Sequence, residues 1–265
     1  MSRSRVGRSL LRPLLGMILM VVGLASPSWS GYADSTARHP TPDLLVVAFG
    51  DSVPSGYACD CRPFPKIYGS LLSASTGRSV RVENRAINGL TTSGLLSQLR
   101  SHDVQNAVRA SEVVLVTIGA NDFGGRHDQV VQDRCGRRGT ECARDDLTSM
   151  RAHLSAVLAR IESLRHGSPT TVLVTGYWNV FEDGDVALAA YGKSGLRASL
   201  RLTRRANAEI RSVATDAGAR YVDIYHPFES AGRDVTTLLA PDGDHPDAAG
   251  HRLIARTLLR AELSA

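Results

Sequence analysis

The chain has 265 residues, 43% of them hydrophobic, which is enough for one large α/β domain or two small ones. Its formal net charge is +5, and the first 30 residues contribute four arginines and no acidic residue to this sum. The four are Arg3, Arg5, Arg8 and Arg12. Without that segment the charge is 5 − 4 = +1. The basic pI therefore gives no support for nucleic-acid binding, and we expect no nucleic-acid partner.

Residues 1–30 have the pattern of a secretory signal peptide. The basic start is followed by the apolar run Leu14–Ala25 and then by small residues. The apolar run is too short to span a bilayer comfortably, although an uncleaved membrane anchor is the alternative. Cleavage after Ser30 and cleavage after Ala33 both fit, and we expect a secreted protein.

Strands and helices are predicted to alternate from residue 44 onward, after a flexible leader at residues 31–43. Alternation of this kind predicts one domain, residues 44–265, with a three-layer α/β/α sandwich around about five parallel strands. Residues 123–142 and 179–194 are predicted as loops. The strands are predicted at 44–49, 79–86, 112–119, 170–178 and 220–225, and the helices at 63–76, 91–108, 143–165, 195–218 and 247–263.

Four cysteines in an exported chain predict disulfides. We favour Cys135 with Cys142, closing a local loop, which leaves Cys59 with Cys61 in a small ring. Pairing between the two loops is an open alternative. We expect no zinc site, because neither pair has the gap that is typical of zinc ligands.

Polar residues follow the predicted strands at four places. These are Gly50-Asp51-Ser52, Asn88-Gly89, Gly119-Ala120-Asn121-Asp122 and the loop from Asp242 to Pro246. Each segment alone could be an ordinary turn or helix cap. Since the carboxyl ends of parallel strands meet at one edge of the sheet, however, we expect the four segments to lie together there.

Three of these residues have the chemistry of a serine hydrolase. Ser52 would be the nucleophile, and a serine hydroxyl needs a base to take its proton. His245 can act as that base, because imidazole is the side chain that ordinarily titrates near neutral pH. Asp242, three residues earlier, would orient the imidazole and stabilise its charged form, with Asp244 as the competing partner.

The tetrahedral intermediate of acyl transfer also needs N–H donors. The candidates are the Ser52 amide, the Gly89 amide and the side chain of Asn121. A glycine at position 89 is expected because a Cβ would obstruct close approach of the backbone. Asp51 and Asp122 are expected to brace their loops through hydrogen bonds.

Taken in order, the four segments resemble those of the SGNH hydrolases, also called GDSL esterases and lipases. The last segment, DGDHPDAAGHRLIA at residues 242–255, is especially similar, whereas Asn88 stands where a small residue is common in that family. The resemblance covers nearly the whole mature chain. It implies a flavodoxin-like sandwich and ester hydrolysis without metal or cofactor, with Ser52, Gly89, Asn121 and His245 in the roles given above.

The expected function is that of a secreted esterase or lipase acting on a small-molecule, lipid or glycan ester. Two alternatives remain open: an acyltransferase or deacetylase acting on cell-envelope glycans, and a catalytically silent carbohydrate- or lipid-binding domain. We expect a monomer that contacts a membrane or the cell envelope only transiently. Tyr177, Trp178 and Phe181 are our candidates for binding the substrate in an acyl pocket, together with Tyr191. For at least half of these four residues, core packing or exposure in a loop is the favoured interpretation.

Overall fold

A five-stranded parallel sheet lies at the centre of the part of the chain that the computed structural model describes, residues 43–136, 139–165, 167–230 and 234–264. The predicted signal peptide and all but the last residue of the leader lie outside this part. The strands are β1 (Leu44–Gly50), β2 (Val80–Asn84), β3 (Val113–Thr117), β4 (Thr171–Thr175) and β5 (Arg220–Val222).

The sheet has the strand order β2-β1-β3-β4-β5, with parallel pairing throughout. Every residue of β1 and β3 is buried, as their continuous apolar sequences predict for strands covered on both faces. The predicted three-layer α/β fold is thereby confirmed, and the order is that of flavodoxin-like sheets.

Helices enclose the sheet. The α-helices are α1 (Ser52–Ser55), α2 (Phe64–Thr76), α3 (Thr92–Gln98), α4 (His102–Ala110), α5 (His127–Val131), α6 (Arg144–Arg165), α7 (Gly184–Asp216), α8 (Tyr225–Phe228) and α9 (Ala248–Leu263). Helices α2 and α9 pack against each other, and α6 packs against α3, α4 and α7. Short 3₁₀ helices at Ala120–Arg126, Glu141–Ala143 and Val235–Leu238 lie between the longer elements. Among the described residues no helix combines the length and apolarity that crossing a membrane requires.

Several predicted strands were too long, since β4 ends at Thr175 and β5 at Val222, and three predicted segments were wrong in more than their end residues. The helix predicted at 91–108 is two helices, because the side chain of Gln105 donates to the carbonyls of Leu99 and Arg100 (both 3.2 Å) where the first one ends. The loop predicted at 179–194 contains the start of α7, since Asp183 caps Gly184, and the helical pattern is interrupted only at Gly192, with φ +64° and ψ −177°. The segment 123–142 also contains helical structure, including α5 with its two buried valines.

The cysteines form the two local pairs that the sequence favoured, Cys59–Cys61 and Cys135–Cys142, with Cα–Cα distances of 5.0 and 4.8 Å. Both distances are within the range of native disulfides. The alternative of pairing between the two loops is therefore not adopted.

Candidate active site

The candidate nucleophile lies where the order of the strands reverses. Strand β1 is followed in sequence by β2 on one side and, one crossover later, by β3 on the other, so the carboxyl ends of β1 and β3 flank the switch point at which open α/β sheets bind ligands. Ser52 begins α1 directly after β1 and is 9% exposed. Asn121 lies in the 3₁₀ helix directly after β3.

Close contact between β1 and β3 fixes the turn before Ser52. Gly50 has a φ of +147°, and a Cβ at this position would lie 1.9 Å from the carbonyl oxygen of Thr117. The Asp51 amide donates to the same oxygen at 3.2 Å. Only glycine fits here, and the close approach sets the direction in which the chain leaves the sheet.

Asp51 is a buried carboxyl that braces this turn, as the sequence predicted. One of its oxygens accepts a hydrogen bond from the amide of Val53 at 3.0 Å, and the other accepts one from the hydroxyl of Tyr177. Burial raises the pKa of Asp51 to about 7, although these two hydrogen bonds and the nearby His245 oppose the shift. The site therefore contains a carboxyl that titrates near neutral pH.

The loop before α9 presents His245, which is 8% exposed. Its Nδ1 lies 2.8 Å from Oδ2 of Asp242, and its backbone N–H donates to Oδ1 of the same carboxylate at 3.1 Å. Partial burial disfavours ionisation of Asp242, but these hydrogen bonds together hold its pKa below the usual value. A carboxylate on Nδ1 places the other ring nitrogen, Nε2, in position to exchange a proton with a substrate-side group.

Asp244 approaches the opposite side of the imidazole. Its Oδ2 lies 3.8 Å from Nε2 of His245, beyond hydrogen-bond distance. Burial raises the pKa of Asp244 to about 6. The negative charges of Glu182 and Asp242 also raise this pKa, whereas His245 lowers it. Of the two candidate partners, Asp242 is the one that hydrogen-bonds to the ring.

Tyr57 links the turn of Ser52 to the loop of His245. Its amide donates to the carbonyl oxygen of Ser52 at 3.1 Å, and its ring lies edge-on to the imidazole, with 4.9 Å between the ring centroids. The two segments, almost 200 residues apart in sequence, are therefore neighbours at the same edge of the sheet. Tyr57 is 51% exposed, and nothing in its sequence context indicated this position.

The other two loops are tied to each other at this edge. The Asn121 side chain uses one of its N–H groups to donate to the Leu90 carbonyl at 3.0 Å. Asp122 accepts hydrogen bonds from the amide and hydroxyl of Thr92, at 3.0 and 2.5 Å. This is the bracing role expected of Asp122.

The conformation of Gly89 gives a reason for glycine in addition to the predicted one. A Cβ at this position would meet no protein atom within 4 Å, so contact with the protein itself does not require glycine. Its φ is +76°, and the Leu90 amide donates to the Ile87 carbonyl at 3.1 Å to close a four-residue turn with Gly89 in third place. That conformation favours glycine.

The three aromatic residues predicted to bind substrate are buried, which corrects the expectation of an open acyl pocket lined by them. Trp178 is fully buried and stacks on Phe228 at 4.5 Å. Tyr177 is 1% exposed and directs its hydroxyl to Asp51. Phe181 is 6% exposed and packs edge-on against the ring of His127. Their apolar surface is used to pack the end of β4 against the surrounding helices.

His127 also was not singled out from the sequence. Its two ring nitrogens lie 3.1 Å from Asp128 and 3.1 Å from Glu182. Although burial opposes protonation, these carboxylates raise its pKa above the usual value. A positive charge is therefore favoured near Glu182 and Asp244. A lone histidine in a predicted loop gives no sequence signal for this arrangement.

Comparison with known proteins agrees with this fold. The lipase Lip_vut3 from a goat rumen metagenome is 17% identical, with a TM-score of 0.68 over 82% of this chain and 97% of that one. An extracellular lipase from Streptomyces rimosus is 23% identical (TM-score 0.57; 82% and 99% covered), and an acetylxylan esterase from Geobacillus stearothermophilus is 17% identical (TM-score 0.59; 84% and 95% covered). At these identities the likeness is one of fold. No curated protein sequence gives a significant match.

A family profile matches more specifically, over residues 48–253. The matched range runs from within β1 to within α9 and includes all four loops at the carboxyl edge of the sheet. The chain belongs to the GDSL-like lipase/acylhydrolase family.

Proposed function

We propose that this chain is an exported serine hydrolase of carboxylic esters, with Ser52 as the nucleophile, His245 as the general base and Asp242 as the partner of the imidazole. The observation that carries the proposal is the 2.8 Å contact between His245 and Asp242, in a loop that meets the Ser52 turn through Tyr57. Acyl transfer from a serine requires such a pair of imidazole and carboxylate near the nucleophile.

In the first half-reaction, the Ser52 hydroxyl attacks the ester carbonyl while Nε2 of His245 takes its proton. Asp242 stabilises the resulting imidazolium through Nδ1. The tetrahedral intermediate collapses, and the imidazolium gives its proton to the departing alcohol. Water then attacks the acyl-serine with the same imidazole as base, which releases the carboxylic acid and regenerates Ser52.

The oxyanion would be held by the amides of Ser52 and Gly89 and by the second side-chain N–H of Asn121. The positive φ of Gly89 and the bond from Asn121 to Leu90 hold these two donors in a defined orientation before substrate arrives. Donors held in place in this way stabilise the charge that develops in the transition state.

The substrate class is proposed only as far as carboxylic esters. The similar structures include lipases and an acetylxylan esterase, so lipid esters and acetylated glycans are both candidates. An acyltransferase or deacetylase acting on envelope glycans would use the same residues. A silent binding domain has no need of Ser52, Asn121, Asp242 and His245 together.

Export is proposed from the first 30 residues, with two disulfides suited to an oxidising compartment. Expression of the full chain in a secreting host should yield a mature protein that begins after Ser30 or after Ala33. Intact mass of the recovered protein distinguishes these two sites from an uncleaved anchor.

The experiment for the enzyme is ester hydrolysis by the mature chain, measured with p-nitrophenyl esters from acetate to long acyl chains. Ser52→Ala should abolish nearly all turnover while the circular-dichroism spectrum stays unchanged. Ser75→Ala, an exposed serine on α2, is the matched control and should retain wild-type rates. Full turnover in Ser52→Ala would end the mechanism, and addition of sugar acceptors separates hydrolysis from transfer.

A further inference from the structure

The two disulfides of this protein differ in the loops that they close and in their exposure. Cys135–Cys142 spans a sequence separation of 7, and Cys135 is 1% exposed. Cys59–Cys61 spans a separation of only 2, and both of its cysteines are partly exposed, with the exposed Asp60 between them. Since a disulfide stabilises a fold less when it closes a shorter loop, chain stability is a weak explanation for the Cys59–Cys61 bond.

The backbone beside this disulfide is strained. Ala58 has a φ of +58°, which is uncommon for a residue other than glycine. Such conformations persist only where the surrounding structure imposes them, and they are concentrated at functional sites.

A buried histidine lies against the two sulfurs. A ring nitrogen of His251, on α9, and the sulfurs of Cys59 and Cys61 lie within 4.8 Å of one another. Nδ1 of His251 accepts a hydrogen bond from the Phe64 amide at 3.2 Å, so the proton of the neutral ring is on Nε2. Among the described residues Nε2 has no hydrogen-bond partner, although His251 is fully buried.

The unpartnered N–H group of this ring is a candidate donor to a thiolate formed at the disulfide. Burial lowers the pKa of His251 to about 4, against the opposing effect of Asp247, so the ring is a neutral donor near pH 7. A hydrogen bond to the sulfur anion would favour departure of that sulfur in thiol–disulfide exchange. No comparable group is needed for a disulfide that serves only as a cross-link.

The same loop contacts the candidate active site. It connects α1, which begins with Ser52, to α2, and it carries Tyr57, whose ring lies against His245. His251, the histidine beside the two sulfurs, follows His245 by six residues in the sequence. A change at Cys59–Cys61 therefore has a short path to Tyr57.

We propose that Cys59–Cys61 is a thiol-exchange site, opened by a low-molecular-weight thiol, whose state sets the position of Tyr57 over His245 and thereby the rate of ester turnover. A thiolate attacks one sulfur of the pair and forms a mixed disulfide, and the other cysteine leaves as a thiolate that hydrogen-bonds to His251 and then takes a proton from water. A second thiolate then attacks the reagent sulfur of the mixed disulfide and displaces the remaining cysteine as a thiolate, which takes a proton, giving two cysteine thiols and the disulfide of the reagent. Two electrons pass from two thiols to one disulfide.

The first test uses the oxidised mature protein in glutathione buffers of graded ratio, quenched with an alkylating reagent and analysed by peptide mass. Cys135–Cys142 is the internal control. We expect Cys59–Cys61 to be half-opened at a reductant level roughly ten times lower than Cys135–Cys142. Simultaneous opening, or earlier opening of Cys135–Cys142, would refute the exchange site, and this result does not depend on whether the protein hydrolyses esters.

The second test, which rests on the proposed function, measures ester turnover in the same samples. The rate should change by at least about threefold in proportion to the opened fraction of Cys59–Cys61 and should return on reoxidation. A Cys59→Ser/Cys61→Ser variant should have the rate of the opened form and lose the response to thiols, whereas Cys135→Ser/Cys142→Ser should keep it. Exchange without any change of rate would refute the coupling to Tyr57.

His251 is tested through the rate of exchange. His251→Leu should slow the opening of Cys59–Cys61 at fixed thiol concentration about tenfold, since leucine has no N–H group to donate to the leaving sulfur. If this variant does not fold, the wild-type opening rate decides: a rate for Cys59–Cys61 no faster than that of Cys135–Cys142 in the same sample would contradict the assignment. Binding of zinc by the reduced protein, measured with a chromogenic chelator, would show a metal site instead, because Cys59, Cys61 and His251 could all be ligands.

Discussion

Replacing Asp51 with asparagine should change how the stability of this protein depends on pH. Asp51 is fully buried, and its pKa is raised from 3.8 to about 7, chiefly by burial. At about 1.4 kcal/mol per pKa unit, this shift corresponds to about 4 kcal/mol of differential free energy between the protonated and the ionised carboxyl.

Whether stability rises or falls with pH depends on which state, folded or unfolded, binds the proton of Asp51 more tightly. The folded state does, so the stabilising contribution of protonated Asp51 is complete below about pH 4 and is lost as the pH rises to about 7. The free energy of unfolding of the wild type should therefore contain a decrease of up to about 4 kcal/mol over this window. In Asp51→Asn this component should be missing, because the amide does not titrate and can still accept from the Val53 amide.

The assay is urea unfolding of the mature chain between pH 4.5 and 8, followed by tryptophan fluorescence. Asp244 and Glu229, whose pKa values burial raises to about 6 and about 7, titrate in the same window. The measured quantity is therefore the difference between wild type and Asp51→Asn at each pH, with the exposed Asp145→Asn on α6 as the control. A difference that stays constant with pH to within about 1 kcal/mol would refute the reasoning.

Three further predictions concern single side chains. Asn121→Ala should lower kcat roughly 10²–10³-fold with a smaller effect on KM, as expected for loss of an oxyanion donor, and an unchanged kcat would remove Asn121 from that role. Asp242→Asn should lower kcat/KM by roughly 10²–10⁴-fold, since the imidazole loses its charged partner, and a loss of less than twofold would point to Asp244 instead. Gly50→Ala should lower the free energy of unfolding by more than about 3 kcal/mol, because its Cβ would lie 1.9 Å from the Thr117 carbonyl oxygen. Gly77→Ala, at a position in open space with φ +67°, should lower it by only about 1–2 kcal/mol. Equal losses in thermal or urea unfolding would contradict the close-contact argument.

The sequence alone determined the class of the fold and the residues of the candidate site. Continuous apolar runs such as Val113–Thr117 identify buried parallel strands, and parallel strands bring the segments that follow them to one edge. The positions of Ser52, Gly89, Asn121 and His245 at that edge follow from this rule. Local disulfide pairing could also be favoured from spacing, since it needs no knowledge of distant contacts.

Only the tertiary structure decided which side chains meet across the sequence. The choice of Asp242 over Asp244 depends on how one loop folds back on its own histidine, and the burial of Trp178 depends on a helix 50 residues later. Tyr57 and His127 have no distinguishing pattern around them, so their contacts with His245 and Glu182 could not be predicted. Periodicity and turn residues describe a segment and its neighbours along the chain, whereas these contacts arise from packing between segments far apart in the sequence.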